Sequence, residues 1–127
     1  MSDELVLIVD DNEKNVKLAR DVLRFAGFRT LEARSGEEAV SLAAEHVPDV
    51  ILMDIRLPDM DGTEALQHLR ERELTARIPV VALTSFAMKG DRERLLAEGF
   101  DGYLEKPISV REFGEQVRSH CGAREED

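Results

Sequence analysis

A single cysteine, Cys121, is all the thiol chemistry this sequence offers. It has no internal partner, which excludes a disulfide framework and points to a reducing, cytoplasmic setting. A lone thiol this near the C-terminus is not read as catalytic. Long apolar runs are missing too: none approaches the roughly 20 residues of a membrane span, so no membrane association is expected. The opening Met1-Ser2-Asp3-Glu4 is acidic and enters an apolar run at once, unlike a signal peptide. Basic charge is scarce. Lys and Arg number 17 against 27 Asp and Glu, giving a net charge of −10, so phosphate backbones are repelled and direct nucleic-acid binding is disfavoured. The acidity suits solubility and is compatible with a divalent cation and basic partners. His46, His68 and His120 lie far apart, show no metal-ligand spacing and read as surface residues. No linker, repeat or low-complexity segment divides the 127 residues. The expectation is one domain, 1–127, with 122–127 a frayed tail.

What the sequence does have is alternation. Short apolar runs at Leu5–Val9, Phe28–Ala33, Val50–Met53, Pro79–Leu83 and Gly102–Leu104 read as strands covered on both faces. Between them lie helical patterns. Val16, Ala19, Val22, Leu23 and Ala26 make one stripe, and Ala39, Val40, Leu42 and Ala43 a second, opened by Gly36-Glu37-Glu38. Thr63–Arg70 and Asp91–Glu98 follow, the latter with Leu95, Leu96 and Ala97 as its apolar content. Val110, Phe113 and Val117 mark a fifth helix, with Ser109 as N-cap and Glu112 three residues on. Gly27, Gly99 and Gly122 fall where helices end. Five βα units imply a doubly wound α/β fold, with a parallel sheet and helices on both faces.

Several polar residues then stand out by position. Asp10 and Asp11 follow the first apolar run, and Asp54 closes the third. Carboxylates at the ends of buried strands lose hydration and repel one another, so a fold that gathers them commonly uses a cation or a chemical step. Thr84 and Lys106-Pro107 end the fourth and fifth runs. In an open parallel sheet, ligands bind outside the carboxyl ends of the strands, where strand order reverses. If the first and third strands are neighbours, Asp10, Asp11 and Asp54 converge on one crevice. Asp10 and Asp11 could instead cap the helix that follows; Asn12 could take that role and leave both acids free.

Asp10-Asp11, then Asp54 within Leu52-Met53-Asp54-Ile55-Arg56-Leu57-Pro58-Asp59-Met60-Asp61-Gly62, then Thr84, then Lys106-Pro107, resemble the receiver domain of bacterial response regulators. The resemblance runs from Leu5 to about His120. Around Thr84–Asp91 and Lys106–Ser109 it narrows to single-domain receivers of the DivK type. It implies a flavodoxin-like sheet of five parallel strands in the order 2-1-3-4-5 with five helices. It implies Asp54 as phosphoacceptor, taking a phosphoryl group from a histidine kinase or histidine phosphotransfer protein. It implies Mg²⁺ held by Asp11 and Asp54, by Asp10 directly or through water, and by the backbone carbonyl of Arg56. Lys106 would set an ammonium against the phosphoryl oxygens and Thr84 would hydrogen-bond one of them. Tyr103 matches the family's switch aromatic, and a cis Lys106-Pro107 bond would aim the lysine inward. The face of the fourth helix, fifth strand and fifth helix would be read by a downstream protein target. Such a protein is no ordinary enzyme: it catalyses only its own phosphotransfer and slow autodephosphorylation.

Ser85 stands where the family commonly has Ala or Gly, and Arg56 and Phe86 occupy positions that tune phosphate loss in the family. Phe86, Ala87 and Met88 form an apolar start to the fourth helix, either packing or a partner patch. Competing readings are a receiver fragment of a hybrid histidine kinase, an Asp-nucleophile phosphatase, an FMN-binding flavodoxin and a binding-only pseudo-receiver. The phosphatase commonly has a second Asp two residues after its nucleophile, where Arg56 stands. A flavodoxin needs a phosphate loop after the first strand, where this sequence has acids.

Overall fold

A computed structural model describes residues 4–84, 90–106 and 108–121. The elements alternate along the chain: β1 Leu5–Val9, α1 Glu13–Phe25, β2 Arg29–Ala33, α2 Gly36–His46, β3 Val50–Asp54, α3 Gly62–Arg70, β4 Val80–Thr84, α4 Asp91–Ala97, β5 Gly102–Glu105 and α5 Phe113–His120. The five strands pair in parallel in the order β2-β1-β3-β4-β5. The architecture is the flavodoxin-like doubly wound one that the sequence implies.

Burial explains why β1, β3 and β4 are apolar up to their carboxyl ends. Strand β2 is not covered on both faces as the sequence suggests, because it lies at the sheet edge, carries Arg29, Thr30 and Glu32 and buries only Ala33. Side chains alternate across a pleated strand, so each of the three central strands must satisfy two cores. Leu7, Val9, Ile51, Met53, Val80 and Ala82 face one way, against Ala39, Ala65, Leu66, Leu69 and Leu95. Val6, Ile8, Val50, Leu52, Val81 and Leu83 face the other, against Val16, Ala19, Leu23, Phe113 and Val117. Cutting a fully buried member such as Leu52 to alanine costs about 2–5 kcal/mol.

Strand ends differ slightly from the sequence reading, for hydrogen-bonding reasons. The Phe28 N–H donates to the Leu23 carbonyl at 3.0 Å and closes α1, so β2 starts one residue later. Gly27 and Gly99 end their helices in the left-handed region, with φ of 100° and 115°; Gly122 lies outside the described residues, as does the tail beyond it. Asn12 caps α1 by accepting the N–H groups of Lys14 and Asn15.

The fifth helix is the larger correction. It begins at Phe113, not near Val110, and Val110 is 63% exposed. Ser109 caps a preceding turn: its carbonyl accepts from Phe113 N–H at 2.8 Å, and its hydroxyl oxygen from Glu112 N–H at 3.3 Å. His120 is also not a plain surface residue. Its ring packs over Gly102, where a β-carbon would lie 2.5 Å from the imidazole.

Candidate functional site

Strands β1 and β3 are direct neighbours, pairing Val9 with Met53. The residues just past those partners, Asp10 and Asp54, therefore emerge side by side at the carboxyl edge of the sheet. Carboxylate oxygens of Asp10, Asp11 and Asp54 all lie within 4.8 Å of one another. Asp10 is 1% exposed, Asp54 is partly buried and Asp11 faces solvent.

A buried carboxylate needs partners, and Asp10 has them. Its Oδ1 accepts from Asn12 N–H at 2.9 Å, and its Oδ2 lies 2.7 Å from Lys106 Nζ. Asp10 is thus not the α1 cap, though it shares the turn with Asn12. Asp54 Oδ2 lies 3.3 Å from the same ammonium, and its Oδ1 accepts from Arg56 N–H at 3.3 Å. Burial raises the Asp54 pKa above its ordinary value; Lys106 opposes this and Asp10 adds to it. Of the three carboxylates, the Lys106 ammonium contacts those of Asp10 and Asp54.

Lys106 is carried in by the sheet. Its N–H donates to the Thr84 carbonyl at 2.8 Å, extending the β4–β5 ladder beyond Glu105. Thr84, 9% exposed, ends β4 beside it. Tyr103 lies in β5, half-buried and packed against the α2–α3–α4 side of the sheet. Burial pushes its hydroxyl pKa up, and Glu105 and Asp91 add to that.

Asp10, Asp11, Asp54, Thr84 and Lys106 line one cleft of about 500 Å³. Sequence reasoning placed Asp10, Asp11, Asp54, Arg56, Thr84 and Lys106 there, and all six line it. It did not foresee Asn15, Asp91 and Arg94, which line it from α1 and α4. Asn15 lies in the first turn of α1, directly after the acid pair. Tyr103 lies in the neighbouring strand rather than in the cleft wall. The cis Lys106-Pro107 bond and the positions Ser85, Phe86, Ala87 and Met88 lie outside the described residues.

The loop between β3 and α3 closes tightly behind Asp54. Gly62 N–H donates to the Ile55 carbonyl at 2.7 Å, and Arg56 and Asp61 form an isolated antiparallel bridge. A β-carbon at Gly62 would lie 2.7 Å from the Asp54 carbonyl oxygen, so only glycine permits this approach.

The oxygen-only donor set suits a hard divalent cation such as Mg²⁺, which takes oxygen ligands and commonly one or two carboxylates. The described residues hold no other cluster of three or more His, Cys, Asp or Glu side chains with that spacing. None of their helices is long and apolar enough to cross a membrane.

The family model for the response regulator receiver domain matches residues 6–118. The polar-differentiation response regulator DivK of Brucella ovis is 50% identical over 117 residues, covering 92% of this chain and 95% of its own. That of Brucella melitensis matches to the same extent. Among solved structures, the receiver domain of sensor histidine kinase PA1611 from Pseudomonas aeruginosa superposes with a TM-score of 0.86 at 36% identity. It covers 96% of this chain and 100% of that one, and holds magnesium in its active-site cleft. The chemotaxis response regulator CheY4 of Vibrio cholerae gives a TM-score of 0.85 at 26% identity, covering 93% of this chain and 98% of that one.

Proposed function

This chain belongs to the response regulator receiver family of two-component signalling, and from that premise we propose that it is a phosphorylation-driven switch. It takes a phosphoryl group from a phosphohistidine, on a histidine kinase or histidine phosphotransfer protein, onto Asp54. One observation carries the reading: three carboxylates, a lysine ammonium and a strand-end hydroxyl meet in one cleft at the switch point of the sheet.

Asp54 is the proposed nucleophile because it ends β3, where the family carries its acceptor, and is more open than Asp10, which is 1% exposed. Its Oδ1 accepts from Arg56 N–H and its Oδ2 faces Lys106. The donor's phosphorus–nitrogen bond breaks as an Asp54 oxygen–phosphorus bond forms, and the leaving imidazole keeps the electron pair. Asp11, Asp54 and the Arg56 carbonyl would hold Mg²⁺, with Asp10 directly or through water, and the ion would supply the charge neutralisation that lets an anionic nucleophile meet an anionic donor. Lys106 covers a phosphoryl oxygen as a point charge.

Thr84 offers its hydroxyl to the phosphoryl group. Its backbone carbonyl already holds Lys106 N–H, so a pull on Thr84 reaches β5, where Tyr103 lies three residues before the lysine. The switch then biases the α4–β5–α5 face toward one arrangement, which a downstream protein reads. Moving such a population from 1:99 to 99:1 takes about 5.5 kcal/mol of differential binding.

The test is transfer. A phosphorylated histidine phosphotransfer domain, mixed with the chain and Mg²⁺, should lose its phosphoryl group to it. A donor that keeps its phosphate while the chain is readily labelled by a small acyl phosphate would remove histidine as the source.

A further inference from the structure

We infer that Asp59 is a positioning residue for the cation site, clamping the loop behind Asp54 onto the N-terminus of α2; this rests on the Mg²⁺ reading above. Asp59 sits at the tip of the β3–α3 loop, five residues past Asp54. Its carboxylate accepts from Gly36 N–H at 2.8 Å and from Glu37 N–H at 2.9 Å. These bonds to a helix start hold its carboxyl below the usual carboxylate range. Met60 follows and lies over Gly36, where a β-carbon would come within 2.5 Å of the methionine Cγ. The tip of the loop is thus fixed by a charged pair of hydrogen bonds and by a close packing contact.

Helix α2 already has a cap of its own. Ser35 Oγ accepts from Glu38 N–H at 3.1 Å, and Glu38 in return accepts from Arg34 N–H at 2.8 Å. The arrangement differs from a capping box only in that the acid takes the N–H of the residue before the cap. The Asp59 bonds are additional, and what they add is a tie between two elements 23 positions apart in sequence.

The neck of the same loop is closed by the Gly62–Ile55 hydrogen bond and the Arg56–Asp61 bridge. Arg56 stands between neck and tip. It gives its N–H to Asp54 Oδ1, and its carbonyl is the proposed backbone ligand. A backbone carbonyl has no rotamers; only the path of the loop aims it. Releasing the tip therefore loosens a ligand that no side chain can re-aim.

The test is a Mg²⁺ titration of the full chain without phosphodonor, followed by amide chemical shifts, alongside thermal melts in Mg²⁺-free buffer. Asp59→Ala should raise the Mg²⁺ Kd about tenfold, the lower end for losing an outer-shell support. Asp59→Asn should recover part of this, because its amide oxygen still accepts an N–H. Ser35→Ala weakens the start of α2 without touching the loop, so it should lower Tm and leave Kd unchanged. Equal Kd values for wild type and Asp59→Ala, with Tm lowered as in Ser35→Ala, would reduce Asp59 to a helix cap and overturn the inference. Should Asp59→Ala fail to fold, the Asp59→Asn Kd decides in the same way. No Mg²⁺-dependent shifts at Asp11, Asp54 and Arg56 in the wild type would instead sink the parent reading, and the inference with it.

Discussion

Lys106 Nζ lies 2.7 Å from Asp10 Oδ2, although 96 positions separate the two residues. The contact joins the end of β5 to the end of β1 across the carboxyl edge of the sheet. Their side chains are 11% and 2% exposed, so neither charge has water to fall back on. Removing one partner of a buried pair leaves the other uncompensated. Lys106→Met should therefore cost about 3 kcal/mol in Mg²⁺-free buffer. Saturating Mg²⁺, which supplies positive charge to the same carboxylates, should restore part of that loss. Urea melts with and without Mg²⁺ measure both.

Asp54 makes the opposite prediction. Its folded-state pKa is raised, chiefly by burial, with Lys106 opposing and Asp10 adding. A carboxyl raised in the fold binds more protons folded than unfolded between its ordinary value and the raised one. Wild-type stability thus falls as pH rises through that window, and the penalty is complete above it. Asp54→Asn has no such charge. In Mg²⁺-free buffer its Tm should exceed that of wild type by a few degrees at neutral pH, and the gap should narrow on acidification toward pH 4. Thermal melts across that range check the slope and its sign.

Gly62 tests the backbone behind the acceptor. A β-carbon there meets the Asp54 carbonyl oxygen at 2.7 Å and Ile55 Cα at 3.0 Å, and backbone has little room to yield. Gly62→Ala should cost about 2 kcal/mol, as overpacking does. It should also slow labelling of Asp54 by a small acyl phosphate, because the strain is released at the acceptor's own peptide. Denaturant melts and labelling rates report the two effects separately.

His120 gives a further pH dependence. Burial holds its imidazole pKa below the ordinary value, against an opposing contribution from Asp101. The unfolded chain then binds the proton more readily, so stability is full above the ordinary pKa near 6.5 and is lost as pH falls toward the folded value. Between pH 7 and 5, wild type should lose more stability than His120→Gln does. Chemical denaturation at several pH values measures the difference.

The central strands were legible because their apolar runs carry side chains for two cores, as Val50, Ile51, Leu52 and Met53 do, whereas edge strand β2 mixes Arg29, Thr30 and Glu32 into its run. The sheet order came from the family resemblance, and with it the meeting of Asp10, Asp54 and Lys106. Local pattern failed where a residue answers to another element. Val110 fits the helical spacing of Phe113 and Val117, yet it is exposed because Ser109 caps a turn before the helix. His120 reads as polar surface, but Gly102, having no side chain, leaves room for its ring. The Asp59 clamp links a loop to a helix and has no periodic signature at all. Whether Asp10, Asp11 or Asn12 caps α1 was open in the sequence. It was decided by Lys106, which engages the outer oxygen of Asp10, while Asn12 receives the free helix N–H groups.

Phosphorylation at Asp54 is the most direct test of the account. The intact chain is treated with acetyl phosphate and Mg²⁺, and covalent phosphate is located by mass spectrometry after trapping the acyl phosphate. The account predicts one phosphoryl group on wild type, carried by Asp54, with none when Mg²⁺ is chelated and none on Asp54→Asn. An Asp54→Asn chain labelled as fully as wild type, or wild-type labelling that is indifferent to Mg²⁺, would contradict it.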